Sequence, residues 1–144
     1  MILREATVVY SGKRVEGANK IRCAADVYNL CKHLSDKTQE CFCVMHLNTR
    51  HVVLSWQVVS IGSSDSVETH PREVFRAAVM SGAAAIILIH NHPSGDPEPS
   101  REDLNMTERL STCGKMIGIP VLDHVVIGDG RFHSFAESGI LAVA

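Results

Sequence analysis

The sequence predicts an α/β (α+β) domain in which helices pack on one mixed β-sheet. Three observations predict it. Helix-period and strand-like segments follow in the order helix, hairpin, helix, strand, helix, strand, strand. The most apolar run, residues 84–90 (AAIILIH), is short, rich in Ile and flanked by helical patterns, which reads as a central strand. Residues 40–47 and 52–61 are two apolar or β-branched segments separated by Asn48-Thr49-Arg50, the pattern of a hairpin.

Taken in order, residues 1–22 read as an N-terminal arm, with a strand over 7–10 and a turn at 11–13. Residues 24–34 form an amphipathic helix, since Val27, Leu30, Cys31 and Leu34 recur at spacings of three and four. ECFCVMHL at 40–47 is a buried strand, and 52–61, with Trp56, is its return. Residues 62–66 are a loop. Pro71 suits a first helical turn, so a helix runs over 72–81 and Gly82 stops it. After the central strand, Asn91 to Pro99 (NHPSGDPEP) is dense in turn formers and must be a loop. A helix follows over 100–113, stopped by Gly114. Residues 121–127 are another strand, and Gly128-Asp129-Gly130 turns into a short strand at 131–134.

The 144 residues fit one domain, here 23–144 after the arm. At 45% hydrophobic and 21% charged, the chain has the composition of a soluble globular protein. A net charge of −2 argues against strong non-specific nucleic-acid binding, which needs a basic surface. The arm alone is basic, with Arg4, Lys13, Arg14, Lys20 and Arg22 against Glu5 and Glu16; a solvated edge is the expected reading, ahead of a weak polyanion contact. The cysteines, Cys23, Cys31, Cys41, Cys43 and Cys113, are odd in number, contain no C-x-x-C, and follow no secretory signal. Reduced thiols and a cytoplasmic location are expected. Cys41 and Cys43 share one face of a strand and read as core. No apolar run is long enough to span a bilayer, so no membrane association is expected.

The stretch that carries chemistry is His90-Asn91-His92-Pro93-Ser94-Gly95-Asp96-Pro97-Glu98-Pro99-Ser100-Arg101-Glu102-Asp103. Side chains two apart on a strand point to one side, so the imidazoles of His90 and His92 converge. The Pro/Gly-rich loop reverses the chain, and the helix after it returns Asp103 to the histidines. Two imidazoles and a carboxylate suit zinc, and three protein ligands leave a fourth position for water, as in catalytic zinc sites. Ser100-x-x-Asp103 also fits a capping box, and an aspartate bonded to zinc is not expected to serve that cap fully. Hydrolysis needs a further acid to move the proton. By residue type, Glu40, Glu68, Glu73, Glu98 and Asp96 are all candidates. Glu73 fits a solvent-facing helix position, and Asp96 and Glu98 fit turn chemistry. Glu40 opens a buried strand, where an unpaired acid is costly. Asn91 and Ser94 orient a substrate or stabilise the turn. His124 reads first as a satisfied core histidine and second as an outer partner of the site. His70 belongs to a helix start, and His33, His46, His51 and His133 carry no functional expectation.

His-x-His, seven residues, then Ser-x-x-Asp resembles the metal motif of the JAMM (MPN+) zinc metalloprotease-like family. The words HNHPSGDPEPSREDL, HPREVF and Val121-Leu122-Asp123-His124 resemble its RadC-like branch, over residues 24–144. The resemblance implies a cytidine-deaminase-like fold, a mixed sheet sandwiched by helices. It implies one zinc per chain, on His90, His92 and Asp103. It implies hydrolysis of a peptide or isopeptide bond in a peptide or protein substrate by a zinc-bound water. Glu40 matches the general base and Ser100 the residue that stabilises the oxyanion. The branch also carries a DNA-repair label, so the alternative is a non-catalytic zinc-binding interaction module linked to DNA repair or recombination. Longer members have an N-terminal helix-hairpin-helix region, for which there is no room before residue 24. A zinc deaminase is rejected, because His-x-Glu and Pro-Cys-x-x-Cys are both missing.

Overall fold

The computed structural model describes residues 1–12, 19–62 and 69–141. Five strands form one mixed sheet in the order β2-β1-β3-β4-β5. They are β1 (Glu40–Leu47), β2 (Val53–Gly62), β3 (Ala85–Asn91), β4 (Val121–Ile127) and β5 (Phe132–Ser134). β1 pairs antiparallel with both β2 and β3, β3 pairs parallel with β4, and β5 returns antiparallel. The helices are α1 (Ala24–Cys31), α2 (Pro71–Met80) and α3 (Arg101–Ile117).

Alternation along the strands divides the core in two. Phe42, Val44, Ile86, Leu88 and Val126 face α2 and α3, meeting Val74, Phe75, Ala78 and Leu110. Cys41, Cys43, Met45, Ile87, Ile89 and Val125 face α1, meeting Val27 and Cys31. The expected sandwich around one mixed sheet is therefore present. Every residue of β3 is buried, as a strand covered on both faces requires.

Several element boundaries differ from expectation, each for a local reason. Residues 7–10 form no strand; they lie exposed, and strand propensity expresses fit to a half-buried surface that this segment lacks. Further on, Lys20 bridges Val52 and Ile21 enters the core. The first helix is α-helical only to Cys31 and tightens into a 3₁₀ turn over Lys32–Asp36. The hairpin connection covers 48–52: the Asn48 side chain accepts from the N–H groups of Arg50 and Val52, and His51 adopts φ 60°. Gly114 does not stop α3. A Cβ there would lie 2.5 Å from the Ile119 carbonyl oxygen, so this glycine admits the returning chain. The helix continues to Ile117, and Gly118, with φ 76°, ends it. Lys13 of the expected turn at 11–13 and residues 63–66 of the expected loop lie outside the described residues.

One irregularity positions the site. Ile86 pairs with Val121 but Ile87 pairs with Asp123, so β4 carries one extra residue, Leu122. The bulge reverses the facing of everything after it. His124 consequently lies opposite Leu88, on the same face as His90. An unbulged strand would direct it toward α1.

Candidate metal centre

The site lies where β3 ends and α3 begins. His90 is the penultimate residue of β3 and His92 follows the strand directly. The loop over 92–99 is pinned to the β4–β5 turn, since Asp129 N–H donates to the Gly95 carbonyl at 2.8 Å. A Cβ on Gly128 would meet that same Gly95 oxygen at 2.5 Å, so the close approach needs glycine. The chain then enters α3, with Asp103 in its first turn, where a carboxylate is favoured by the helix N-terminus.

Glu40, His90, His92 and Asp103 offer donor atoms that all lie within 4.8 Å of one another. His90 Nε2 is 2.9 Å from His92 Nε2 and 3.2 Å from Asp103 Oδ1; His92 Nε2 is 3.1 Å from Asp103 Oδ2. Glu40 Oε1 stands 3.5 Å from His90 Nε2. Donors held 2.0–2.1 Å from one tetrahedral ion are separated by about 3.3 Å. The observed spacings bracket that value, so this donor set fits a single metal ion.

Hydrogen bonds assign the tautomers. Thr107 Oγ1–H donates to the Asp103 carbonyl at 2.7 Å, so its oxygen must accept from His124 Nδ1–H. His124 Nε2 is then an acceptor and takes the proton of His90 Nδ1 at 2.6 Å. His90 Nε2 is left with a bare lone pair facing the site. His92 reaches the same state by donating Nδ1–H to the Asp96 carbonyl at 2.8 Å. Both imidazoles thus present Nε2 inward, held from behind as metal-binding histidines are. His124 must be neutral to play its part, and burial holds its pKa well below the ordinary histidine value. It is wedged between Phe42 and Phe135, with ring centroids at 5.9 and 4.6 Å.

The charges agree with a cation site. Burial alone would raise the Asp103 carboxyl, but the His90 and His92 rings beside it and the hydrogen bond from Ser100 N–H hold it well below the usual carboxylate range. The neighbouring Asp103 carboxylate in turn raises His92, against the opposing effect of burial.

Ser100 and Asp103 form the capping box, and its geometry leaves carboxylate lone pairs for the site. Asp103 Oδ2 accepts from Ser100 N–H at 2.9 Å, and Ser100 Oγ accepts from Asp103 N–H at 3.1 Å, a complete capping box. A carboxylate has two oxygens and about four lone-pair directions, so it can serve the cap and still face the histidines.

The other candidates separate by position. Glu73 is half-buried and paired with Arg72 and Arg76. Asp96 Oδ1 accepts from Glu98 N–H, and Ser94 Oγ accepts from Asp96 N–H, so these residues build the turn. His70 caps α2 by accepting from Arg72 N–H. Glu68 lies outside the described residues. His33 packs on Trp56, His46 bonds Ser55, and neither reaches the site. Asn91 is fully buried, and its amide bonds the backbone at the start of β1 rather than the loop. His124, read first as a core histidine, contacts the site directly through His90. Thr107 was not singled out at all; its one sequence signal is its place four residues after Asp103, on the same helix face.

Comparison with known proteins identifies the family. The family model described as the RadC-like JAB domain matches residues 21–140. A UPF0758 protein of Methanosarcina mazei is 46% identical over 127 residues, covering 88% of this chain and 56% of the relative. One from Methanococcoides burtonii is 50% identical over 125 residues, covering 85% and 54%. One from Bacillus pumilus is 55% identical over 104 residues, covering 72% and 46%. The chain spans about half the length of these relatives. No helix among the described residues is long and apolar enough to cross a membrane.

Proposed function

The chain belongs to the RadC-like JAB domain family, and on that premise we propose that it is a zinc-dependent hydrolase of peptide or isopeptide bonds. The observation that carries the reading is the convergence of two inward Nε2 lone pairs and one carboxylate beside a second carboxylate, Glu40. Zinc held by His90, His92 and Asp103 would supply Lewis-acid activation of water and of the scissile carbonyl. Glu40 is the base. Its side chain is 29% exposed where that of His90 is 1%, and it is the most open to solvent of the four. Oε1 takes a proton from the attacking water and delivers it to the leaving amine nitrogen. Ser100 Oγ already accepts from Asp103 N–H, which leaves its own proton free to donate to the developing oxyanion. His124 and Thr107 keep the His90 proton on Nδ1 throughout. The substrate class is a peptide or protein amide. We place the protein in the cytoplasm, a reducing setting that suits five free cysteines.

A second reading has one observation in its favour. Glu40 Oε1 is near enough to the other donors to complete a closed shell of four protein ligands. That would make the domain a non-catalytic zinc-binding interaction module, of the kind linked to DNA repair. Glu40→Gln separates the two. As a base variant it keeps one zinc per chain and loses hydrolysis of a peptide library. As a ligand variant it loses zinc affinity. Unchanged turnover would remove Glu40 from the mechanism.

A further inference from the structure

Glu40 is the first residue of β1, and the β1–β3 ladder ends before reaching it. The last pair is Phe42 with His90. Beyond that point β3 continues with β4 instead: Asn91 lies opposite Ile127, and His92 N–H donates to the Ile127 carbonyl at 2.9 Å. The two strands therefore part beside the site, which leaves the backbone around Glu40 without ladder partners on its β3 side. The Asn91 side chain fills that gap. Its Oδ1 accepts from Cys41 N–H at 2.7 Å, and its Nδ2 donates to the Gln39 carbonyl at 3.0 Å. These backbone groups belong to the residues immediately before and after Glu40. The amide thus substitutes for the donor and acceptor of a missing strand residue.

Few side chains can do this. The bracket needs one donor and one acceptor in a single plane on a short stem. Aspartate lacks the donor, and glutamine is longer by a methylene. Strand alternation turns residue 91 away from the side on which His90 and His92 converge, so it is free for the task. Complete burial makes each of its bonds consequential, since an unpaired buried amide group costs about 1–3 kcal/mol.

We propose that Asn91 is the positioning residue for Glu40: by bracketing residues 39 and 41 it holds the carboxylate beside the metal-facing nitrogen of His90. The motif His90-Asn91-His92 then sets the metal donors with its outer residues and the base with its middle one. This rests on the reading of Glu40 as a base acting next to a bound metal.

The test uses the whole chain loaded with Co²⁺, whose visible spectrum reports its surroundings, in four forms: wild type, Asn91→Ala, Glu40→Gln and the double variant. Asn91→Ala is expected to keep one cobalt per chain. Its spectrum should change in the same sense as that of Glu40→Gln, and the double variant should match Glu40→Gln alone. Peptide hydrolysis should fall about a hundredfold in kcat with KM little changed, the cost of a roughly 1 Å misplacement. A wild-type spectrum in Asn91→Ala, loss of its cobalt, or a further spectral change in the double variant would each overturn the proposal. If Asn91→Ala does not fold, hydrogen exchange in the wild-type protein decides. The Cys41 amide must exchange far more slowly than the exposed arm, and equal exchange rejects the bracket. A protein that hydrolyses no peptide refutes the hydrolase reading, while the cobalt and exchange comparisons still judge Asn91.

Discussion

Replacing His124 with phenylalanine tests the hydrogen-bond relay that keeps His90 ready for a metal. The new ring keeps the stacking against Phe42 and Phe135, but it is larger than the fully buried imidazole, so the slot must widen. What disappears is the acceptor for His90 Nδ1–H, now 2.6 Å away. Leaving that buried donor unpaired would cost about 1–3 kcal/mol. His90 avoids the cost by moving its proton to Nε2, where Asp103 Oδ1 waits at 3.2 Å. The escape keeps the protein folded but caps the lone pair that a metal needs. Binding must then undo that bond, and loss of an outer partner of a metal-binding histidine weakens affinity about 10–100-fold. Competition with a chromophoric chelator measures the zinc affinity. The Tm of the metal-free protein should fall by several degrees, since overpacking costs about 1–3 kcal/mol and about 1 kcal/mol moves Tm by roughly 2–4 °C at this size. Thr107→Val should act in the same direction and less strongly. Wild-type affinity in His124→Phe would refute the tautomer assignment.

Three further outcomes follow from other parts of the structure. Asp103→Ala removes a metal donor and the side-chain half of a capping box; metal analysis should find no bound zinc, and stability should fall by about 1 kcal/mol or more from the cap, so full zinc occupancy would exclude Asp103 as a ligand. Burial pushes the thiols of Cys31 and Cys43 from 9.0 up to about 12. Above pH 9 the unfolded chain releases these protons while the folded chain retains them, so stability present below pH 9 is lost as pH rises toward 12, by about 1.4 kcal/mol per pH unit for each thiol; denaturant titrations should show a shallower alkaline decline in Cys43→Ala, and an identical decline would contradict the burial effect. Gly114→Ala improves helix propensity by about 1 kcal/mol, but its Cβ would meet the Ile119 carbonyl at 2.5 Å, so calorimetry should record net destabilisation, and a raised Tm would show that the loop can move aside.

Much of the fold is legible in the residues because it depends on local pattern. The strands expected at 40–47 and 121–127 have those same bounds in the structure. Both are apolar runs ended by turn formers, Asn48 after one and Gly128 after the other. The helix after Pro71 starts where a fixed φ and a missing N–H are tolerated. Gly114 shows how such reading fails. A glycine near a helix end suggests a stop, but whether the helix stops there or a neighbouring chain passes close is decided by packing.

The sequence by itself determined which donors form the candidate site. His90, His92 and Asp103 are linked by a strand end, one loop and the first turn of a helix, so their convergence is a short-range consequence of spacing. Tertiary structure alone decided what surrounds them. The bulge at Leu122 turns His124 toward His90, Thr107 orients His124 from α3, and Asn91 reaches across parting strands to hold the backbone of Glu40. Each of these contacts joins residues from different elements. Their geometry depends on strand register and helix packing, which no local periodicity encodes.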